Sequence, residues 1–503
     1  MPVVTGSTIP TDGITSTPLN VELSTITDTT TVPKTDDPYL VAFNPQFDSD
    51  NPLDWPRSRK WAVTDVLAAT GFNRIMVSTI MAPALSTIAK EFNMNSTEAA
   101  MALSIYLLAT AFGPLVIGPL SEVYGRKKVL HASNVWFLVW NIACGFASSK
   151  QLLIGARFLA GFGASSIYAL SGGVLGDVWR PEQRGQSLGM YLLIPVLGAA
   201  VGPIIGGFMA GRTTWRWIFW STSIFQGVMI LVSFLTFHES YAPLILRRRA
   251  EKLRKDTGDA RYYTLSESIV ARRSVPYRLS QALSRPLRLL FFHPIIQIMS
   301  LISAFEYGIL YIVLSSFAEL WTKQYHVSVE LSGLHYIALA LGEAVGSQVG
   351  GYVMDAYYRR NAAKHPDDLD PEYRIPLTFP FAAVLPVGLF IYGWAAQYTV
   401  HWIAVDIGVF IFAFADQMLG MPLQAYVMES YSEHTSSALA ASQFLRSMSA
   451  FLFPLFTPAM YDKMGYGWGN TMLGFACLLV GLPAPALLMV FGKRLRAKAN
   501  TSW

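Results

Sequence analysis

Twelve runs of eighteen or more mostly apolar residues divide this chain, and a run of that length spans the hydrocarbon of a bilayer as a helix. They fall at about 60 to 88, 97 to 121, 129 to 149, 151 to 177, 184 to 211 and 215 to 238, then at about 293 to 321, 328 to 357, 375 to 396, 400 to 430, 435 to 461 and 468 to 492. The expected fold is therefore an all-α membrane protein with six helices on each side of a central loop. The expected divisions are an N-terminal tail over 1 to 55, a first bundle over 56 to 238, a loop over 239 to 292, a second bundle over 293 to 492 and a short tail over 493 to 503. Composition agrees, because 52% hydrophobic and 14% charged residues are far too apolar for a soluble chain of 503 residues.

Charge orients the bundle. If the N-terminus is cytoplasmic, the loops and tails on that side hold 28 Lys or Arg and the opposite loops hold six, which predicts both termini inside. The net charge of +5 then reflects this bias, and no nucleic-acid partner is implied. Trp215, Trp217, Trp321, Trp394, Trp402 and Trp468 fall near the expected outer ends, where an amphipathic ring prefers the headgroup zone. The basic central loop, with Arg247, Arg248 and Arg249, reads either as a solvated linker or as a surface for anionic lipid. Cys144 and Cys477 each lie in an apolar run and read as small core residues. The tail is rich in Thr, Ser and Pro without apolar periodicity, which predicts disorder, and a cleavable signal before the first span is not expected. Asn95-Ser96-Thr97 is a glycosylation sequon in a short loop on the expected outer side.

One pattern occurs twice. Gly118 is followed by Glu122, Gly125, Arg126, Lys127 and Lys128, while Gly351 is followed at matching offsets by Asp355, Arg359 and Arg360. Each copy is expected in a short loop between two apolar segments, so the chain reads as a tandem duplication, a common plan among secondary transporters. Charge placement alone explains the bases but not the glycines or acids. A second string, Arg157-Phe158-Leu159-Ala160-Gly161-Phe162-Gly163-Ala164, puts an arginine inside an apolar helix, where it is expensive and faces a cavity, a partner or the interface. A third, Gly198 to Gly207, sets Gly198, Gly202 and Gly206 four apart on one face, adjoined by Pro203 and Gly207, which lets another helix approach closely.

These strings resemble motifs A, B and C of the major facilitator superfamily. The match to motif C, with His238-Glu239-Ser240-Tyr241-Ala242-Pro243, Asn51-Pro52-Leu53-Asp54-Trp55-Pro56 and Gly176-Asp177-Val178-Trp179-Arg180-Pro181, is similar to the fungal twelve-helix drug:proton antiporters. His238 and Ser240 depart from the family's Pro-Glu-Thr-Tyr-Ala-Pro, and Val123 departs from the base usual in motif A. The resemblance covers about residues 50 to 495 and implies a cytoplasmic latch of Gly118, Glu122, Gly125, Arg126, Lys127 and Asp177, repeated at Gly351, Asp355 and Arg359. Its ion pairs would form in one conformation and break in the other. It also implies that Arg157 takes part in proton coupling.

Charges in mid-span mark the candidate site. Glu306, Glu343 and Asp416 each lie near the centre of an expected span, and a lone carboxylate there costs several kcal/mol, roughly, unless it meets protein or water. They are candidates for carrying a proton or touching cargo, against the plainer reading of pairing with a neighbouring helix. Asn73, Arg74 and Arg446 supply the partners, either for these acids or for an anionic group on the cargo. Aromatics such as Tyr168, Tyr191, Phe305, Tyr307, Tyr311, Tyr336, Phe412 and Phe414 line a cavity or simply pack. No nucleophile, metal or phosphate-loop arrangement stands out, so an enzyme or ATP-driven pump is not expected and no cofactor is implied. The favoured reading is a monomeric plasma-membrane exporter of small amphipathic molecules, drugs or fungal secondary metabolites, energised by a proton gradient. The alternative is a proton-coupled importer of a small nutrient on the same fold.

Overall fold

The computed structural model describes residues 37–270, 275–364, 371–431 and 435–500. The first half holds α1 (Arg57–Thr79), α2 (Leu85–Glu91), α3 (Ser96–Tyr124), α4 (Arg126–Gly145), α5 (Lys150–Ala164), α6 (Ser166–Val178), α7 (Pro181–Arg212) and α8 (Arg216–Thr236). The linker carries α9 (Ala242–Thr257), α10 (Leu265–Val270) and α11 (Val275–Phe292). The second half holds α12 (Pro294–Lys323), α13 (Val329–Ser332), α14 (Tyr336–Lys364), α15 (Thr378–Gln397), α16 (Trp402–Ser430), α17 (Thr435–Gly481) and α18 (Pro483–Asn500). Together they make twelve passages, six in each half. Within halves α1 packs on α7, α3 and α4 on α5, α12 on α17, and α14 and α15 on α16. The halves meet where α3 lies against α17 and α7 against α13 and α14. The face holding the N-terminal end of α1 and the C-terminal end of α18 is called the terminal face below, and the opposite one the distal face.

Several expected spans are broken. The first ends at Thr79, turns through Ile80–Ala84 and resumes as α2; the fourth is divided at Ser165 into α5 and α6. The last two meet inside α17 at Gly465, whose non-helical φ of 71° turns the chain back where a side chain would be strained. Seven described segments are apolar enough on their own to cross a bilayer, and one of them, Ala438–Arg496, contains two passages. Of the four remaining passages, α1, α4, α7 and α14, three fall short because they turn polar groups inward: Asn73 and Arg74 on α1, Asn134 and Asn141 on α4, and Glu343 on α14 are all buried.

Two sequence expectations change. Trp215 and Trp321 are not headgroup anchors: both are buried, Trp321 stacking on His335 with ring centroids 3.6 Å apart, whereas Trp217, Trp402 and Trp468 are exposed. Residues 37–55, read as tail, are packed against the linker and the first half. Tyr263 and Leu40 form a β-bridge, with Val41 N–H donating to the Tyr263 carbonyl at 2.8 Å. Arg249 reaches Asp48 at 2.7 Å and Arg180 reaches Asp54 at 2.7 Å.

Candidate functional site: a buried carboxylate cluster beside the seam

In the first half the buried arginines find neutral partners. Arg74 donates to the Gly163 carbonyl at 2.7 Å, to Ser166 Oγ at 2.8 Å and to Asn134 Oδ1, and its guanidinium sits 5.0 Å from the Phe137 ring centroid. Gly163 lies at the break between α5 and α6, where helical carbonyls lose their own donors. Asn73 donates to the Thr222 carbonyl at 3.3 Å and to Gln226 Oε1 at 3.1 Å, tying α1 to α8. Arg157 donates to the Leu103 carbonyl at 3.1 Å and the Val77 carbonyl at 3.5 Å, the latter in the last turn of α1, where a cation complements the helix dipole. Neither arginine forms an ion pair among the described residues.

The glycine string of α7 has two working faces. Gly198 and Gly202 face α1: a Cβ on them would come 2.5 Å from the Phe72 carbonyl oxygen and 2.8 Å from that of Met76, and Gly206 presses on the Ile80 carbonyl. Pro203 has no N–H for the carbonyl of Ala199, four residues back, and Thr79 Oγ fills that vacancy at 3.1 Å. The other face meets the second half on the distal side. A Cβ on Gly207 would come 2.8 Å from the Val329 carbonyl oxygen, and Gly333 lies directly against the Pro203 backbone. Arg212 pairs with Glu330 at 3.3 Å, the one ion pair joining the halves among the described residues. The distal side is closed.

Behind this closure the second half gathers its charges. Helix α14 lies tight on α16 because Gly342 and Gly346 carry no side chain; a Cβ at Gly346 would come 2.8 Å from the Phe414 carbonyl oxygen. That approach brings Glu343 beside Asp416, while α12 adds Glu306 and α17 adds Arg446. The charges of Glu306, Asp416 and Arg446 act on one another, as do those of Glu343, Asp416 and Arg446. Glu306 Oε1 and Asp416 Oδ1 are buried without a hydrogen-bond partner. The Arg446 guanidinium lies 3.8 Å from the Tyr307 ring centroid, and Tyr307 meets Tyr311 edge-on at 5.0 Å. Tyr168 of the first half lies within electrostatic reach of both Tyr307 and Arg446. Glu306, Tyr307, Asp416 and Arg446 sit in mid-helix and Tyr168 in the first turn of α6, yet all keep partly accessible surface, so they face an internal space. Glu306 also walls a narrow crevice with Phe305, Leu385, Leu419 and Cys477.

Other candidates fall elsewhere. Tyr336 is fully buried and donates to the Leu314 carbonyl at 2.7 Å, and Phe412 is core. Asp406, an acid of α16 outside that set of candidates, lies 2.9 Å from His335 Nδ1 near the distal end. Asn95 caps α3, its Oδ1 accepting from Glu98 N–H at 2.7 Å while Glu98 accepts from Asn95 N–H at 3.0 Å.

On the terminal face Arg126 meets Asp177 at 3.4 Å, bonding α4 to α6 within the first half, and Ser121 Oγ at 2.5 Å. Glu122 is exposed on α3, and Gly118 has open space around it. The residue that sequence reading left without a role is Glu239. Its carboxylate accepts from the backbone N–H of Arg126 at 2.8 Å and of Lys127 at 3.3 Å, capping α4 where Gly125 turns with φ 94°. The signal was available: an acid just past a span, facing a glycine and basic loop. The second copy is not a loop. Helix α14 runs through Gly351 to Lys364, because the position matching Gly125 is Tyr358, which does not favour a positive φ. The side chains of Asp355 and Arg359 lie outside the described residues.

Comparisons with known proteins agree with this geometry. The family model described as Major Facilitator Superfamily matches residues 67–454. The chain is 54% identical over 424 residues to the probable efflux pump mfs2 of Aspergillus flavus, covering 84% of this chain and all (100%) of that one. It is 40% identical over 465 residues to the efflux pump vrtL of Penicillium aethiopicum, covering 92% of each. An uncharacterized transporter of Schizosaccharomyces pombe is likewise 40% identical over 468 residues, with 92% and 94% covered. Among solved structures, the inward-open xylose transporter XylE from E. coli superposes with a TM-score of 0.64 at 17% identity, covering 84% of this chain and 95% of that one, which shows a shared fold.

Proposed function

Because this chain belongs to the major facilitator superfamily, a multi-pass membrane transporter family, we propose that it is a proton-coupled exporter of small amphipathic molecules, fungal secondary metabolites or drugs among them. The observation that carries the reading is the convergence of Glu306, Glu343 and Asp416 around a single Arg446 beside the seam between halves. Three carboxylates gathered in mid-span around one guanidinium cannot all ionise cheaply, so protons are the natural counter-ions. Export is supported by the names of the relatives, two of them efflux pumps, and by the glycine string of α7, which resembles that of drug:proton antiporters. In this reading the protein is a monomer of the plasma membrane with the terminal face in the cytoplasm, and the 28-to-6 bias of basic residues supports that orientation. Alternating access opens and closes the α7 contact with α13 on the outside, while Arg126, Asp177 and Glu239 stiffen the inner end of the first half.

The test uses sealed vesicles with an imposed proton gradient. Glu306→Gln, Glu343→Gln and Asp416→Asn are each expected to fold, and at least one should abolish gradient-driven accumulation while leaving downhill exchange measurable. If all three respond to the gradient as the wild type does, the cluster does not carry the proton.

A further inference from the structure

The polarity of the cargo follows from the sign of its coupling to protons, an inference that rests on the exchange reading above. Four charged groups from four helices are drawn together: Asp416 on α16 and Arg446 on α17 act on both Glu306 on α12 and Glu343 on α14, with Tyr307 and Tyr311 on α12 and Tyr168 on α6 beside Arg446. In an exchanger, cargo and proton must exclude each other, so cargo must prefer the ionised cluster. An anionic head group would do the opposite. It would sit on Arg446, repel the ionised carboxylates and favour their protonated form, which links cargo and proton in the same direction. A donating head group reverses the sign, because an ionised carboxylate is acceptor-only and holds donors more strongly than the protonated acid, one of whose oxygens carries a hydrogen of its own.

The geometry supplies matching acceptors. Glu306 Oε1 and Asp416 Oδ1 are buried and have no hydrogen-bond partner, an arrangement that is costly unless a ligand or water completes it. Beside them the Tyr307 ring already carries the Arg446 guanidinium at 3.8 Å, with Tyr311 edge-on at 5.0 Å, so flat aromatic surface adjoins the open acceptors. We propose that the cargo is a planar aromatic molecule presenting hydrogen-bond donors, phenolic hydroxyls or an amino group, which dock on Glu306 and Asp416 while its ring packs among Tyr307, Tyr311 and Tyr168. Arg446 is then the counter-charge that keeps the pair of acceptors ionised and in place, and it is not itself the cargo's anchor.

Equilibrium binding to the full chain in lipid nanodiscs tests this without any gradient. Four probes share one ring system: naphthol, naphthylamine, methoxynaphthalene and naphthoate. The two donors should bind about tenfold to a hundredfold tighter than the methoxy compound, with naphthoate weakest. Their binding should weaken as pH falls from about 8 to about 5, because protons compete for the same oxygens. Glu306→Gln and Asp416→Asn should each flatten that pH profile, while Tyr336→Phe, far into the core, should leave it unchanged. The wild-type ranking stands on its own if a variant fails to fold. Equal binding of naphthol and methoxynaphthalene overturns the proposal, and so does naphthoate binding tightest. Donor-selective binding without gradient-driven transport would sustain this site and refute the exchange reading; gradient-driven transport without donor selectivity would refute this inference alone.

Discussion

Gly333→Ala isolates the contact that closes the distal side. Gly333 has φ −65° and ψ −30°, a conformation alanine adopts freely, so the substitution adds no local backbone strain. What it adds is one carbon, which would lie 2.5 Å from the Pro203 carbonyl oxygen and 3.0 Å from Ile204 Cα. Both are backbone atoms of α7, held on their other side by the packing of α7 on α1, so they cannot swing away as a side chain would. Overpacking of this kind costs about 1–3 kcal/mol. The cost exists only while the halves touch here, and the population ratio should therefore move about 5- to 150-fold toward the distal-open state. Spin labels at Phe146 and Tyr398, exposed at 68% and 71% on distal loops of the two halves, report that separation by pulsed electron resonance. The long-distance population should grow in Gly333→Ala. An unchanged distance distribution in a folded variant would show that α7 yields, and would refute the claim that glycine is required for closure.

Other perturbations have smaller or more local consequences. Arg212→Glu or Glu330→Arg alone should raise the distal-open population modestly at low salt and the double exchange should restore it, since a pair this exposed is worth about 0.2–1 kcal/mol. Glu239→Ala should lower the thermal stability in detergent by an amount equivalent to about 1–2 kcal/mol, because the first N–H groups of α4 lose their anion. Arg496→Ala should be worse, about 3–5 kcal/mol, since Glu372, its side chain 9% exposed, would lose the guanidinium that holds it at 2.7 Å; adding Glu372→Gln should recover much of the loss, as read by the same melting curves.

Sequence conveys depth along a membrane helix far better than direction around it. Depth was enough to place the twelve passages and to single out Glu306, Glu343, Asp416 and Arg446 as mid-span charges. Direction decided the rest. Arg74, read as a partner for the acids or for cargo, points instead at the Gly163 carbonyl near the helix break at Ser165, and Arg157, read as facing a cavity or partner, takes the carbonyls of Leu103 and of Val77 near the break at Thr79; hydropathy does not register such breaks. Glu122 lies at the right depth for the latch yet is exposed, while Glu239, from a distant point in the chain, supplies the carboxylate. The repeat at Gly351 shows the same limit in another form. Matching offsets of glycine, acid and base did not reproduce a loop, because the residue that allows the turn in the first copy, Gly125, has no glycine counterpart in the second.

The bridge between Leu40 and Tyr263 sets a schedule for biogenesis. Its partners are separated by the whole of the first half, and at about 5–20 residues per second the ribosome needs roughly ten to forty-five seconds to deliver Tyr263 after Leu40 has emerged. Throughout that interval Val41 has no partner strand and Asp48 no Arg249. The segment is thus a late lock: it can close only on a chain whose first six passages have been made, and a nascent chain stalled before the linker would present it to chaperones and proteases as an unfinished end.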